Sequence, residues 1–174
     1  MLIKAKSSFN MWVFVSVIMT TCFSCAINSG SVVTLYLVRH AERPSGVDSL
    51  NDLGKKRAME LANVLEHAGI NAIYVSDTRR AEQTAQPLSD KIHVAVSQYK
   101  SAEKDEILAK LKAHPAGDRI LVVGHSNNLP FILNGLGVSS DTTWLPHDQY
   151  DDLFQVLMYR KGKNQLNHLK YGKP

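Results

Sequence analysis

The sequence predicts an α/β fold, a three-layer sandwich with a mostly parallel central sheet and a C-terminal antiparallel hairpin. Two observations predict it. Short apolar segments alternate with segments whose apolar residues recur at helical spacing, which is typical of a parallel sheet covered by helices. The last two apolar segments are separated only by Lys161-Gly162-Lys163, which indicates a hairpin turn.

The first strand and helix follow from a near-continuous apolar run and a periodic segment. Residues 34–38 form a buried strand, and Pro44 ends the segment. A helix is expected over residues 55–68, with Asn51 as its N-cap and Gly69 as its stop.

The middle of the chain repeats this pattern. A strand is expected over residues 72–75, and a helix over 81–88, where Pro87 limits its length. Residues 94–96 make a brief third strand. The elements expected after it are a helix over 103–113, a buried strand over 119–123, a short helix from about Pro130 to Gly135 or Gly137, and strands over 153–159 and 166–171.

The N-terminus has the layout of a secretory signal. Lys4 and Lys6 precede an apolar run over residues 11–19, which small and polar residues follow. The run is too short to cross a bilayer, which needs about 20 apolar residues. We expect residues 1–26 to be a signal peptide and residues 27–174 to be one domain of ordinary globular composition.

The end of this signal allows three processing routes. Ser24-Cys25 resembles the site at which bacterial lipoproteins are cleaved and lipidated, although Cys22 stands where that pattern usually has an aliphatic residue. Lipidation at Cys22 and ordinary cleavage after Ala26 are the alternatives. Each route exports the protein, either free to the periplasm or lipid-anchored to the cell envelope. The anchor is the only membrane contact we expect.

Charge and cysteine content exclude several classes of protein. Lys4 and Lys6 supply two of the four net positive charges, so the domain carries about +2, too little to indicate nucleic-acid binding. Both cysteines lie at the end of the signal and outside any βαβ unit, which makes a redox motif improbable and leaves the domain without a disulfide.

Basic side chains follow three of the expected strands. These are Arg39-His40, Arg79-Arg80 and the histidine of Gly124-His125. If the strands are neighbours in one parallel sheet, their carboxyl ends converge on one edge, where α/β folds place ligand sites. Arginine matches the geometry of phosphate and stays charged, so the cluster suits an oxyanion. Guanidinium groups would repel a metal ion, and we expect neither metal nor cofactor.

These motifs resemble the histidine phosphatase superfamily, also called the phosphoglycerate mutase-like family. The family pattern is a strand and Arg-His-Gly, then Leu-Ser/Thr-x-x-Gly, then Ser-x-x-x-Arg-Ala-x-Gln-Thr-Ala, then a strand and Gly-His. In this sequence, in the same order, they are Arg39-His40-Ala41, Leu50-Asn51-Asp52-Leu53-Gly54, the ten residues from Ser76 to Ala85, and Gly124-His125-Ser126.

The resemblance implies a role for each matching residue. His40 is the nucleophile that becomes phosphohistidine, and Arg39, Arg80 and His125 form the phosphate pocket. Arg43 lies where one sub-branch of the family has a further phosphate-binding arginine. The implied activity is that of a phosphohydrolase acting on a small phosphorylated substrate. A mutase is less expected, because the chain lacks the long insertions of those relatives.

The sequence departs from the family pattern at two points. Ala41 replaces the usual glycine, which suggests that the backbone there does not need a positive φ. The acid that protonates the leaving oxygen is also unmarked, because Ser126 occupies the place where one branch has an Asp. We predict Glu42 for this role, with Glu103 as its rival. A salt bridge to Arg39 or Arg43 is the alternative explanation of Glu42.

Two other functions remain open at this point. Residues 124–128 superficially resemble a serine-hydrolase elbow, but that motif needs a glycine where Asn128 stands. A non-catalytic module that binds phosphorylated ligands is the second alternative, against which the presence of both histidines and the arginines argues.

Overall fold

The computed structural model describes residues 32–139 and 145–172. The expected signal peptide, both cysteines and the processing sites lie outside these residues. The described chain forms six strands and four helices, which alternate until the last two strands. They are β1 (Val32–Arg39), α1 (Asp52–Leu65), β2 (Ala72–Ser76), α2 (Arg79–Ile92), β3 (Val96–Tyr99), α3 (Lys104–Ala113), β4 (Arg119–Gly124), α4 (Leu129–Gly135), β5 (Asp152–Tyr159) and β6 (Gln165–Lys170).

The six strands form one sheet in the order β3-β2-β4-β1-β5-β6. The first four in this order are parallel to one another, whereas β5 runs antiparallel to both β1 and β6. This arrangement confirms the predicted mostly parallel sheet and its C-terminal antiparallel hairpin. No helix in the described ranges is long and apolar enough to cross a membrane.

Helices cover both faces of the sheet and make it the middle layer of three. One core joins Leu35 and Leu37 of β1 with apolar residues of α3 and α4. The other joins Val38 with apolar residues of α1 and α2. Successive strand residues therefore serve opposite cores, which explains why the parallel strands are apolar throughout.

Helix α2 is longer than the sequence predicts. It continues through Pro87 and ends at Ile92, although proline removes one helical hydrogen bond and crowds the carbonyl four residues before it. The buried face of α2 extends on both sides of the proline, from Ala81 to Leu88 and Ser89. Packing of this face against the core outweighs the local cost of Pro87.

The third strand begins later than predicted, at Val96 rather than Val94. His93 adopts a left-handed conformation after α2, with φ of 57°, and the Ser89 hydroxyl donates to the carbonyl of Val94. Pairing with β2 then starts at Val96. A helix-ending turn therefore takes the residues that the apolar pattern assigned to the strand.

Asn51 is the N-cap of helix α1, as the sequence predicts, but the helix spans Asp52–Leu65 rather than residues 55–68. The start of the helix shapes the loop after β1. The Asn51 side chain accepts a hydrogen bond from the Gly54 amide at 2.8 Å. The Asn51 amide donates to the carbonyl of Glu42. A side chain at position 54 would collide with the Glu42 backbone, so glycine allows α1 to approach this loop closely.

Candidate active site

The carboxyl ends of β1 and β4 bring two histidines together. Arg39 pairs with Gly124 in the sheet, and the His40 amide donates to the Gly124 carbonyl at 2.9 Å. His40 and His125 follow directly, with ring centroids 5.2 Å apart and planes at 65°. The strand-end convergence expected from the sequence is thus present in the fold.

The ring of His40 is oriented by the backbone of the next residue, Ala41. Its Nδ1 lies 2.8 Å from the carbonyl oxygen of Ala41, and because a carbonyl only accepts, Nδ1 carries the proton. The Nε2 atom then keeps its lone pair. Burial, together with His125 and the nearby arginines, lowers the pKa of His40 to about 3, so the imidazole is neutral at neutral pH.

Ala41 ties the His40 loop to helix α2. Its amide donates to Thr84 Oγ1 at 2.9 Å, and this hydroxyl donates in turn to the Arg80 carbonyl at 2.7 Å. In the described chain His93 is the one non-glycine residue with a positive φ, so Ala41 has an ordinary backbone conformation. This confirms the prediction that the backbone at position 41 does not need a positive φ.

The second histidine is positioned through a buried asparagine. The His125 amide donates to Asn128 Oδ1 at 2.6 Å, and Asn128 Nδ2 donates to the Tyr99 hydroxyl at 3.2 Å. A Cβ atom at Gly124 would lie 2.5 Å from Asn128 Oδ1, which explains the glycine before the histidine. Burial, followed by the charge of Arg80, lowers the pKa of His125 to about 4.

Arg39 is buried at the end of β1 and held by the segment 145–150. Its Nη1 donates to the carbonyls of Pro146, His147 and Gln149 at 2.8–3.1 Å. Its guanidinium carbon lies 4.1 Å from the centroid of the Tyr150 ring, a cation–π contact. These contacts fix the orientation of the guanidinium without using its Nε.

Arg80 enters the site from the first turn of α2. Its Nη1 forms an ion pair with Asp48 at 2.7 Å, and its Nη2 lies 3.3 Å from Nδ1 of His125. The Nε atoms of Arg39 and Arg80 are both buried, without a hydrogen-bond partner in the described chain. A buried donor without a partner is costly, and a phosphate oxygen is the kind of acceptor that an arginine Nε would bond.

The family model of the histidine phosphatase superfamily (branch 1) matches residues 35–103. The matched stretch holds Arg39, His40 and Arg80, three of the groups that the fold brings together with His125. The match covers 69 of the 174 residues, and over this part the chain is similar to that superfamily. The comparison with curated proteins gave no match.

Several solved structures share this fold over nearly their whole length. Phosphoglycerate mutase from Plasmodium falciparum is 20% identical, with a TM-score of 0.60, over 83% of this chain and 95% of its own. The protein histidine phosphatase SixA, complexed with tungstate, is 18% identical with a TM-score of 0.60 over 79% and 96%. Mycobacterial glucosyl-3-phosphoglycerate phosphatase, complexed with VO3, is 13% identical with a TM-score of 0.59 over 80% and 99%. Identities this low show the fold alone.

Glu42 has a partner that the sequence did not indicate. Its Oε1 accepts from Nε and Nη2 of Arg57 at 2.8 and 2.7 Å in a buried ion pair, rather than from Arg39 or Arg43. Burial alone would lower the pKa of Arg57, but the hydrogen bond to Glu42 and the negative charge of Glu42 raise it above its usual value. Glu42 Oε2 is buried without a hydrogen-bond partner in the described chain. The acid role of Glu42 stays a prediction.

The other two predicted site residues are engaged with their own surroundings. Glu103 occupies the N-cap position of α3, is 44% exposed and pairs with Lys100 at 2.7 Å. Arg43 donates from Nη1 to the carbonyls of Pro44 and Val47, both at 3.1 Å. Burial is the main cause that lowers the pKa of Arg39, and the positive charge of Arg43 lowers it further. A phosphate-binding role of Arg43 and an acid role of Glu103 also stay predictions.

Sequence reasoning missed the residues that hold the site residues in place. Asp48 pairs with Arg80, Asn128 fixes His125, and Tyr150 packs on Arg39. The only signal for Asn128 was its position beside a strand-end histidine. Asp48 and Tyr150 lie in irregular segments, where no periodicity marks a contact. No group of three or more His, Cys, Asp or Glu side chains within the described ranges is placed to hold a metal ion.

Proposed function

We propose that this chain is a phosphatase that removes a phosphoryl group from a phosphomonoester or a phosphohistidine, through a phosphohistidine intermediate on His40. The observation that carries the proposal is the hydrogen bond from His40 Nδ1 to the Ala41 carbonyl. It leaves Nε2 as a neutral nucleophile beside His125, while the Nε atoms of Arg39 and Arg80 have no hydrogen-bond partner in the described chain.

The reaction has two displacements at phosphorus. In the first, the lone pair of His40 Nε2 forms the N–P bond while the bond to the leaving oxygen or nitrogen breaks, and the leaving group takes up a proton. In the second, water attacks phosphorus, loses a proton and releases phosphate from His40. Phosphoryl transfer depends mainly on positioning and charge stabilisation, which Arg39, Arg80 and His125 supply to the equatorial oxygens.

Acid-labile phosphate trapped on His40 during turnover tests the intermediate directly. His40→Ala should abolish both turnover and trapping while leaving the thermal unfolding transition cooperative. His125→Ala removes one donor to the phosphoryl group and should lower kcat by about 10²–10³. Trapping of phosphate on the His40→Ala variant would contradict the assignment of the nucleophile.

The proposed reaction needs no metal ion or cofactor, because the arginines supply the charge that a metal would otherwise provide. Activity after dialysis against a chelator should equal that of the untreated protein. Loss of activity that added Mg²⁺ or Zn²⁺ restores would refute this part of the proposal.

A non-catalytic module that binds phosphorylated ligands is the alternative. The observation in its favour is the pairing of Glu42 with Arg57, which occupies one carboxylate predicted to protonate the leaving group. Calorimetric binding of inorganic phosphate, with no ester hydrolysed and no phosphate trapped on His40, would establish the module and reject the enzyme.

The substrate should be sought among phosphate esters and phosphoramidates. The solved structures include proteins named as a protein histidine phosphatase, a glucosyl-3-phosphoglycerate phosphatase and a phosphoglycerate mutase. A panel of sugar phosphates, 3-phosphoglycerate, lipopolysaccharide phosphates and a phosphohistidine peptide covers these chemistries. The substrate with the highest kcat/KM identifies the class.

We also propose that the protein is exported and that its cellular site is the periplasm or the cell envelope. The basic and apolar pattern of the first 26 residues supports this. Mass measurement of the protein from a bacterial host should show a diacylglyceryl mass on Cys25 or Cys22, or an unmodified start at Ile27. Intact Met1 in the cytosolic fraction would refute export.

A further inference from the structure

Arg80 lies between a carboxylate and the second histidine. Its Nη1 is 2.7 Å from Asp48 Oδ1, and its Nη2 is 3.3 Å from His125 Nδ1. The three groups come from separate parts of the chain: the loop before α1, the first turn of α2 and the end of β4. Both terminal nitrogens of the Arg80 guanidinium therefore have a side-chain partner.

Asp48 is itself fixed by the start of α2. Its Oδ2 accepts from the Arg79 amide at 3.1 Å, where the side chain of the N-cap residue Thr78 makes no capping hydrogen bond. The Asp48 side chain is 53% exposed, whereas that of Arg80 is 19% exposed. Partial burial alone would raise the pKa of Asp48, but hydrogen bonds from the Arg79 amide and from Arg80 lower it below its usual value. Asp48 is thus a carboxylate at neutral pH.

This arrangement determines which nitrogen of His125 carries the proton. A guanidinium only donates, so His125 Nδ1 must accept from Arg80, and the proton of the neutral ring is on Nε2. If Arg80 swung away, His125 Nδ1 would lose the one donor that the described residues give it. The ring would then populate both tautomers and would present a donor at Nε2 only part of the time.

We propose that Asp48 is a positioning residue that holds Arg80 against Nδ1 of His125 and so fixes the Nε2–H tautomer of His125. In the proposed phosphatase reaction, this Nε2–H donates to the phosphoryl group, and the kinetic consequence rests on that function. The tautomer itself does not depend on turnover.

The first experiment compares the kinetics of Asp48→Asn and Asp48→Glu. The asparagine keeps an oxygen for the Arg79 amide but loses the charge that holds Arg80. We expect kcat to fall about tenfold, the order of one charge-assisted hydrogen bond. KM should stay equal or fall, because a repulsive carboxylate near the phosphoryl group is gone. Asp48→Glu should recover most of kcat.

A merely structural role of Asp48 would give a different result. It would raise KM and lower the melting temperature together, and either change without a specific loss of kcat would overturn the proposal. Asp52→Asn is the matched control, because Asp52 is 93% exposed and pairs only at the surface of α1 with Lys55. Its kinetics should equal those of the wild type.

The second experiment measures the tautomer by ¹⁵N NMR of the protein labelled at histidine. Wild-type His125 should show Nε2 protonated and Nδ1 unprotonated, and Asp48→Asn should show averaging between the two forms. Asp77→Asn is the control, because Asp77 acts on His125 through charge but bonds the Ser101 amide rather than Arg80. An unchanged His125 spectrum in Asp48→Asn would refute the proposal even if the protein is an active phosphatase. The expected change in a protein without activity would uphold it and reject the enzyme.

Discussion

Glu42 and Arg57 form the most buried ion pair described in the chain, with side-chain exposures of 11% and 6%. Arg57 also donates to the carbonyl of Tyr171, so the pair links the loop after His40 to α1 and to the end of the fold. Breaking a buried pair leaves an uncompensated charge and commonly costs about 3–5 kcal/mol. This position therefore carries stability as well as a candidate catalytic group.

For Glu42→Gln we expect a lower free energy of unfolding, by about 1–3 kcal/mol, because the amide keeps a hydrogen bond to Arg57 but not the charge. The same variant tests the acid role. If Glu42 only pairs with Arg57 through Oε1, the variant should slow an alkyl phosphate and p-nitrophenyl phosphate equally. Urea unfolding and the two hydrolysis rates check both statements.

The control for this prediction is Glu103→Gln, whose solvent-exposed pair with Lys100 should contribute little to the free energy of unfolding. Selective slowing of the alkyl phosphate by Glu42→Gln would instead assign Glu42 the acid role predicted from the sequence, because p-nitrophenol needs little protonation to leave. The same selective effect in Glu103→Gln would assign the role to Glu103.

At the scale of elements, α2 contributes most to the site after the strands themselves. Its first turn presents Arg80, its second turn presents Thr84 to the His40 loop, and its buried face extends past Pro87. The proline is a local defect in an otherwise well-packed helix. Removing it should strengthen the helix without moving the site.

Pro87→Ala should raise the free energy of unfolding by about 1–3 kcal/mol, since a helix-interior proline costs roughly 3 kcal/mol relative to alanine and part of this is offset by unfolded-state entropy. Urea unfolding measures the change, and phosphatase kinetics should stay constant. Gln86→Ala, on the exposed neighbour that bonds Asp90, is the control. Destabilisation by Pro87→Ala would mean that the ring packs favourably against its neighbours.

For the molecule as a whole, the two buried histidines make stability depend on pH. Burial lowers the pKa of His40 from 6.5 to about 3 and that of His125 from 6.5 to about 4. At a pH between the unfolded pKa of 6.5 and these lower values, the two histidines bind protons in the unfolded chain but not in the folded chain. The contribution of the two histidines to stability is therefore complete above about pH 6.5 and is lost as the pH falls toward 3.

Urea unfolding at pH 7, 5 and 4 should therefore show a steep loss of stability for the wild type. A double variant with His40→Asn and His125→Asn should lose less between the same pH values, whatever its stability at pH 7. His67→Asn, at a side chain that is 94% exposed, should follow the wild type. Equal losses in the wild type and the double variant would contradict the assignment of this pH dependence to the two histidines.

The amino-acid sequence by itself determined the layers of the fold and the core of the site. Apolar runs and helical periodicity are local signals, so they can be recognised in the sequence. Because the carboxyl ends of parallel strands meet at one edge of the sheet, the sequence also predicts that His40 and His125 lie close together. The same reasoning located the start of α1, because an N-cap asparagine and its glycine act over three residues. It failed at Pro87 and at Val94, where core packing and a left-handed turn outweighed the local signal.

Only the tertiary structure decided how the site residues are held. The Arg39 guanidinium donates to backbone carbonyls of a segment more than one hundred residues away. Arg57 donates both to Glu42 and to the carbonyl of Tyr171, which is distant from both in the sequence. Asp48 reaches Arg80 across a loop with no regular pattern. These contacts depend on where packed helices and loops place side chains in space. Neither residue periodicity nor motif spacing encodes that placement, so the sequence indicates the candidate site residues and the packed fold sets their orientation.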